Sequence, residues 1–508
     1  MTIRKALISV WDKTGVADFA RGLVENGIEI YSTGGTSKAL SEAGIKVTPL
    51  EELTGFTELI GGRVKTLHPK VFAGILARRD LDEHIKSIAE IGIPAFDIVA
   101  VNLYPFEDTL KCTNDQSELL EMIDIGGVAL LRAAAKNFPA VVVVSDPDDY
   151  HTVVTELDET GDIAEPTRKE LAMKAFRRTS YYDAVISGAL CEKQFPERYM
   201  LPLILKSELR YGENPHQDAA LYVDSLSDCG VARAEKLWGK DLSYNNILDL
   251  DAVLNALQEF PDEIASVVVK HLSPCGIARG GDLLEAYEGA LAGDPLSAFG
   301  GIVGFTRPVD VPTAEKMSEH FFECVLAPDY EPEALEILKK KKNLRLMKMP
   351  TTPPKRTQKY IRGIQGGALV QTWDPPGHES AKWEIVSERK PTEAEENALK
   401  FAWRAIRSIK SNSVLIAGEN AVFGIGGGLP SRVDSAKLAI TKAGDKASGA
   451  VAASDAFFPF PDGIEVLAEA GVTAVVQPGG SIRDDKVTAR ANELGIAMVH
   501  TGTRHFRH

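Results

Sequence analysis

Cysteine is scarce in this chain: Cys112, Cys191, Cys229, Cys275 and Cys324 are scattered and never form Cys-x-x-Cys. An odd, dispersed set excludes a disulfide framework and a zinc ribbon, and it predicts a reducing, cytoplasmic setting. Basic charge is also in deficit, with 57 Lys and Arg against 72 Asp and Glu, for a net charge of -15. Phosphate-backbone binding needs a positive field, so nucleic acid is not an expected partner, and an anionic ligand has to be caught by local cations. Long apolar runs are missing as well. The first, residues 6–11, is broken by Asp12, which is too short for a signal peptide or a membrane span, so no membrane association is expected.

What is present is alternation. Residues 6–11 read as a buried strand, Val16, Phe19, Ala20 and Leu23 mark one face of a helix, and Gly27 stops it before a second strand at 28–31. Residues 37–43 are helical, Gly44 ends them, and 45–47 are extended. This βαβαβ start predicts a mostly parallel sheet covered by helices. Further strands are expected at 96–101 and 140–144, with a long helix over about 168–191. The proline-bearing stretch Gln194-Phe-Pro-Glu-Arg-Tyr-Met-Leu-Pro202 breaks the pattern, which places a domain boundary near it: residues 1–196, then 197–508.

Beyond it, strands are expected at 266–269, 301–305, 413–417, 473–476 and 496–499. Several run into glycine-rich segments read as turns: Ser273-Pro-Cys-Gly276, Gly424-Ile-Gly-Gly-Gly-Leu-Pro-Ser431 and Gln477-Pro-Gly-Gly-Ser481. Repetition of that unit predicts two related α/β halves. The run Leu338-Lys-Lys-Lys-Lys-Asn343 reads as a solvated helix end, and residues 350–358 as a connection.

Chemistry-bearing residues gather at the predicted strand ends. Asp12-Lys13-Thr14-Gly15 follows the first strand and Ser32-Thr-Gly-Gly-Thr36 the second. In a parallel sheet both loops open on one edge, where glycine amides and hydroxyls can wrap a phosphate. Gly61-Gly-Arg-Val-Lys-Thr-Leu-His-Pro-Lys70 lacks helical spacing and concentrates cations. Asn102-Leu-Tyr-Pro-Phe106, Asp124-Ile-Gly-Gly127 and Lys136 add groups suited to proton transfer. Any one of these segments alone would read as an ordinary solvated loop.

Together, Ser9-Val-Trp-Asp-Lys-Thr-Gly15, Thr33-Gly-Gly-Thr36, Gly62-Arg-Val-Lys-Thr-Leu-His-Pro69, Asn102 to Phe106 and Asp124 to Gly127 resemble the IMP cyclohydrolase domain of the bifunctional purine-biosynthesis enzymes, which has a methylglyoxal-synthase-like fold. The resemblance implies that Ser9, Lys13, Thr33, Gly34, Gly35, Thr36 and Arg63 hold a ribotide phosphate. It implies that Lys65, Thr66, Asn102, Tyr104, Asp124, Gly126, Gly127 and Lys136 surround the reacting base, with Lys65, Tyr104, Asp124 and Lys136 catalytic. The implied reaction is ring closure of FAICAR to IMP, in which charge builds on the former formyl oxygen and needs an ammonium or amide donor.

In the second domain Lys270-His271 ends an apolar strand, a cation beside an imidazole that can exchange protons. The bland reading is solvated surface. Leu209-Arg-Tyr-Gly-Glu-Asn-Pro-His-Gln217, Leu242-Ser-Tyr-Asn-Asn246, Lys270-His271, Asp294-Pro-Leu-Ser-Ala-Phe-Gly-Gly301, Lys410-Ser-Asn-Ser413, Ser431-Arg432, Ser454-Asp-Ala-Phe-Phe-Pro-Phe460 and Arg504-His-Phe506 resemble AICAR transformylase, the other half of the same bifunctional enzymes. The implied fold is a pair of cytidine-deaminase-like α/β subdomains.

By that resemblance His271 takes the substrate amine proton, Lys270 stabilises the tetrahedral intermediate or protonates the departing folate nitrogen, and Asn412 orients the His or the formyl group. Arg210, Tyr211, Asn246, Glu323, Arg432 and Arg504 are implied ribotide contacts, with Phe299, Gly300 and Phe458 lining the site for stacking. The co-substrate is 10-formyltetrahydrofolate, the small molecules handled are AICAR, FAICAR and IMP, the assembly is a homodimer, and a structural monovalent cation is left open. The chain departs from the family pattern at Ser273, where Asn is usual, and at Leu429, where Gln is usual.

Two rival readings remain. A zinc nucleoside deaminase would need His-x-Glu and Pro-Cys-x-x-Cys, but residue 273 is Ser and residue 278 is Ala, so neither zinc nor any other metal centre is expected. Alternatively, only the transformylase is active and the amino-terminal domain is a nucleotide-binding regulatory module.

Overall fold

Strand β1 (Lys5–Val10) is buried on both faces, as a strand covered by helices on each side must be. It belongs to a computed structural model that describes residues 3–56, 60–61, 63–353, 359–376 and 383–508. Gly62 and residues 354–358 of the expected connection lie outside the described residues. The chain divides into two compact units, Met1–Leu203 with Asp224–Leu226, and Ile204–Val223 with Ser227–His508.

In the first unit β1 is joined by β2 (Glu29–Ser32), β3 (Val47–Pro49), β4 (Ile98–Asn102) and β5 (Val142–Val144), in the order β3-β2-β1-β4-β5. Every pairing is parallel. The chain winds from β1 outward to β3, then returns to place β4 on the other side of β1. That reversal leaves a crevice at the carboxyl ends of β1 and β4, where open α/β sheets bind ligands. The long helix expected near 168–191 forms as Glu165–Leu190.

The second unit opens with a two-stranded ribbon, β6 (Leu203–Leu209) and β7 (Ala219–Asp224). Its first half contains β8 (Glu235–Trp238), β9 (Ala265–Lys270), β10 (Ser273–Arg279), β11 (Ile302–Phe305), β12 (Cys324–Ala327) and β13 (Arg345–Lys348). A hairpin of β14 (Lys359–Ile364) and β15 (Gly367–Thr372) follows. The second half contains β16 (Glu384–Ile385), β17 (Val414–Ala417), β18 (Val422–Gly426), β19 (Val451–Ser454), β20 (Ala474–Gln477) and β21 (Ala497–His500).

The sheet orders are β10-β9-β11-β12-β13-β8 and β18-β17-β19-β20-β21-β16. Each is an antiparallel hairpin, then a parallel trio, then an antiparallel edge strand, in the same chain order. The two predicted halves are therefore one topology used twice. Side-chain alternation layers them: Val267 and Val269 share a core with Leu415 and Ala417, while Val268 faces one outer core and Val414 and Ile416 face another. Helices Tyr244–Leu257 and Glu393–Ile406 fill the inner layer between the sheets.

Two glycine-rich segments read as turns are strands instead. Ser273 to Gly276 opens β10, and Gly424 and Gly426 lie in β18. Their glycines serve packing. A Cβ on Gly276 would sit 1.9 Å from the Ala290 carbonyl oxygen of the following helix, and on Gly424 or Gly426 it would sit 2.1 or 2.0 Å from the Ala439 or Ser435 oxygen. Each half thus presses its next helix, Leu283–Leu291 or Arg432–Ala443, directly on the hairpin backbone.

Candidate active sites

In the first unit Asn102, at the end of β4, ties down the segment that follows β1. Its Oδ1 accepts hydrogen bonds from Trp11 N (2.6 Å) and Asp12 N (2.9 Å), and its Nδ2 donates to the Asp12 carbonyl (2.8 Å). On the β2 side, helix Gly34–Glu42 starts with no side-chain cap, while the Thr36 and Ser37 amides donate to the Thr33 carbonyl. Gly34 and Gly35 are exposed, the Ser9 and Thr33 hydroxyls meet at 3.0 Å, and Lys13 Cε lies 3.9 Å from where a Gly35 Cβ would stand. Amides, hydroxyls and an ammonium at a helix start form an anion cradle. Thr36 is buried and exchanges hydrogen bonds with Val10 N (3.0 Å) and Val10 O (2.9 Å), so its hydroxyl fastens the loop.

Beside the cradle, Asp124 Oδ1 accepts from Gly127 N at 2.6 Å, at the start of helix Gly126–Lys136. A Cβ on Gly127 would be 2.4 Å from Asp124 Oδ2, and one on Gly126 would be 2.5 Å from Thr66 Oγ1. The glycine pair therefore lets Thr66 and Asp124 close on the helix start. Burial pushes the Asp124 carboxyl above its ordinary value, against the pull of the Gly127 and Tyr104 amides and the Lys65 ammonium. Lys65 is half-buried, and Tyr104 packs its ring 4.8 Å from Trp11. Arg63 is exposed and paired with Glu121.

In the second unit Lys270 and Ser273 pair across a hairpin whose turn is His271-Leu272. Both turn residues are in the left-handed region, at φ 53° and 63°, although neither is the Asn or Gly that such a turn favours. Lys270 Nζ donates to the Phe299 carbonyl (2.7 Å). Lys270, His271, Cys275 and Asp294 line a cleft of about 460 Å³ whose other wall, with Lys410, Ile425 and Lys442, belongs to the second half. Lys442 Nζ is 2.6 Å from Asp294 Oδ2. Burial raises the Asp294 pKa, but Lys442 and Ser297 outweigh it and leave the carboxyl below its ordinary value.

Burial, aided by Asp294, pushes the Cys275 thiol up to about 12, so this cysteine stays protonated and is no nucleophile near neutral pH. Asn412 lines a neighbouring cavity of about 470 Å³ with Ser411, Leu429, Pro430, Phe506 and His508. Among the described residues no group of three His, Cys, Asp or Glu side chains could hold a metal ion.

A family model described as "AICARFT/IMPCHase bienzyme" matches residues 134–442, and one described as "MGS-like domain" matches residues 15–129. The "Bifunctional purine biosynthesis protein PurH" of Persephonella marina is 50% identical over 516 residues, covering 99% of this chain and 100% of that protein. Its namesake from Halalkalibacterium halodurans is 49% identical over 510 residues, with 99% and 100% covered. The chain belongs to the AICARFT/IMPCHase bienzyme family. The crystal structure of ForH aligns with 37% of this chain and 97% of its own at 38% identity, with a TM-score of 0.33.

Three expected site residues of this bienzyme framework are buried or stand at a helix end. Lys136 ends the helix that Gly126 begins, so its backbone stands ten residues of rise, about 15 Å, from Gly126. Arg432 is buried, with its guanidinium spent on Asp455, the Ser454 hydroxyl (2.8 Å), the Ser413 carbonyl (3.2 Å) and Asn412 Oδ1 (2.6 Å). It holds Asn412 in place from this buried position. Phe458 is fully buried, its ring filling the space over Gly463, so no base can stack on it.

Other expected contacts are dispersed. Asn246 Nδ2 donates to Glu323 (2.7 Å), tying helix Tyr244–Leu257 to the start of β12. Phe299 is exposed, its ring 5.2 Å from Phe321, and Gly300 N donates to the Phe321 carbonyl at 2.8 Å. Arg210 lies over the Tyr211 ring (5.0 Å) and Arg504 over Phe506 (4.6 Å); none of these four lines the Lys270–His271 cleft. Leu429 accepts from Asn412 N (3.1 Å) and Nδ2 (3.0 Å) through its backbone oxygen, a contact its alkyl side chain leaves intact. Sequence reasoning missed Tyr182, whose hydroxyl accepts from Asp124 N (2.9 Å) and donates to Met122 O (2.7 Å). It sits inside a long helix, where a tyrosine reads as ordinary core.

Proposed function

We infer that the chain performs two successive reactions of purine biosynthesis: formyl transfer from 10-formyltetrahydrofolate to AICAR, and closure of the product, FAICAR, to IMP. The observation that carries this reading is the Lys270–His271 turn on a lysine-lined cleft, in a chain matched by the bienzyme's relatives along 99% of its length. The transfer is assigned to residues 197–508 and the closure to residues 1–196.

In the transfer, the AICAR amine attacks the formyl carbon while His271 accepts the amine proton. Charge on the formyl oxygen develops beside Lys270, whose ammonium stabilises it more strongly in a cleft than in open water. Collapse breaks the bond from carbon to N10, and the proton returns to N10, giving tetrahydrofolate. Asn412, oriented by Arg432, borders the ribotide side.

In the closure, the cradle of Ser9, Lys13, Thr33, Gly34 and Gly35 holds the phosphate. The carboxamide nitrogen attacks the formyl carbon, Asp124 and Tyr104 move the proton, and Lys65 with the Gly126 amide supports the oxygen until water leaves, while the Gly127 amide holds Asp124.

The protein works in the cytoplasm as a homodimer without binding nucleic acid. In support, Arg210 and Tyr211 do not line the cleft of their own copy, so a second copy can supply them. The net charge of -15 disfavours nucleic acid, and among the described residues no helix is long and apolar enough to cross a membrane. The test is to mix purified protein with AICAR and 10-formyltetrahydrofolate and follow tetrahydrofolate and IMP separately. Both are expected; tetrahydrofolate without IMP would reject closure by the first unit.

A further inference from the structure

We propose that Asp249 is the positioning residue of the formyl-transfer site, acting on Lys270 and His271 through the backbone of their turn. Its carboxylate accepts from both amides of that turn, Leu272 N to Oδ1 at 2.6 Å and His271 N to Oδ2 at 3.2 Å. Two successive amides in left-handed conformation form a concavity suited to an anion, and Asp249 fills it.

The turn needs such a partner. Left-handed backbone at two residues with full side chains costs free energy that the surroundings must offset, and His271 and Leu272 both adopt it. Gly would relieve the strain, but position 271 has to carry the imidazole. Asp249 is well anchored for the task. It lies one turn along helix Tyr244–Leu257 from Asn246, which closes a capping box with Ser243 and binds Glu323. The far side of the turn is fixed by Lys270 Nζ on the Phe299 carbonyl. The imidazole and the ammonium are thus set by one carboxylate and one carbonyl, neither of which lines the cleft.

This assignment rests on the catalytic reading of Lys270–His271, and the experiment separates the two. The intact chain is assayed for tetrahydrofolate release from AICAR and 10-formyltetrahydrofolate, and separately for cyclisation of supplied FAICAR, which reports on the first unit. Asp249→Ala is expected to lower kcat of transfer about 100-fold, since a misplacement of about 1 Å has that effect, with KM for AICAR and the cyclisation rate unchanged. Asp249→Asn, which keeps an oxygen for Leu272 N, falls between. Adding Leu272→Gly to Asp249→Ala restores about tenfold of kcat, because glycine adopts the left-handed turn without strain. Transfer by Asp249→Ala at the wild-type kcat, or no recovery from Leu272→Gly, would overturn the assignment. If His271→Ala also transfers normally, it is the catalytic reading of the turn that fails, not only the role of Asp249.

Discussion

Arg432 and Asp455 are buried together, and removing one member of such a pair strands the other charge. Arg432→Ala is expected to cost about 3–5 kcal/mol, read as a lower denaturant midpoint of the second unit. A loss confined to KM for AICAR would return Arg432 to the ribotide. Lys136→Ala tests the opposite case: an exposed residue at the far helix end should change cyclisation by no more than about twofold. Asp124 makes a pH prediction. As a base it works ionised, so cyclisation falls as pH drops through its pKa, which burial holds above the ordinary aspartate value. An acid limb at the ordinary carboxylate position would contradict this.

At this scale the sequence exposes residue type and spacing but not burial. Thr33-Gly-Gly-Thr36 and Asp124-Ile-Gly-Gly127 were legible because glycines mark close approach. The burial of Arg432 and Phe458 was not legible, because a motif does not reveal which side chains turn inward. Asp249 was missed because a lone helical carboxylate usually reads as a solvated face.

Strands in the second unit depend on glycine for a reason of packing rather than of turning. Gly276→Ala, Gly424→Ala and Gly426→Ala each force a methyl group into the backbone oxygen of the next helix. Overpacking of this kind costs about 1–3 kcal/mol or more. Gly363→Ala in β14 meets nothing within 4 Å and serves as the control, expected within about 0.5 kcal/mol; urea titration distinguishes them. Equal midpoints would mean the helices do not press on the hairpins.

Element existence was readable from apolar runs and helical spacing: the strand expected at 266–269 forms as Ala265–Lys270 and the one at 473–476 as Ala474–Gln477. The hairpin partners were not readable. Strands dense in glycine and proline carry the local signals of turns, and only the helix pressed on their backbone makes them strands. The His271-Leu272 turn was hidden for the complementary reason, since it lacks the residues that usually announce it.

For the whole molecule, two compact units share one chain, the second built from one topology used twice. Only the first of its halves carries the Lys270–His271 turn; the corresponding hairpin of the second half closes between Ala417 and Val422, through Gly418-Glu-Asn-Ala421. That second half supplies instead the facing wall, with Lys410 and Lys442. The activities should then separate by single substitutions. Lys65→Ala is expected to slow cyclisation of FAICAR by ~10²–10³, the usual effect of losing an oxyanion donor, while tetrahydrofolate release stays at the wild-type rate.

The decisive measurement is tetrahydrofolate release by full-length His271→Ala, with cyclisation of FAICAR recorded on the same preparation. Release should fall by ~10²–10⁴, the range for loss of a general base, while cyclisation keeps the wild-type rate. Undiminished release would contradict the account.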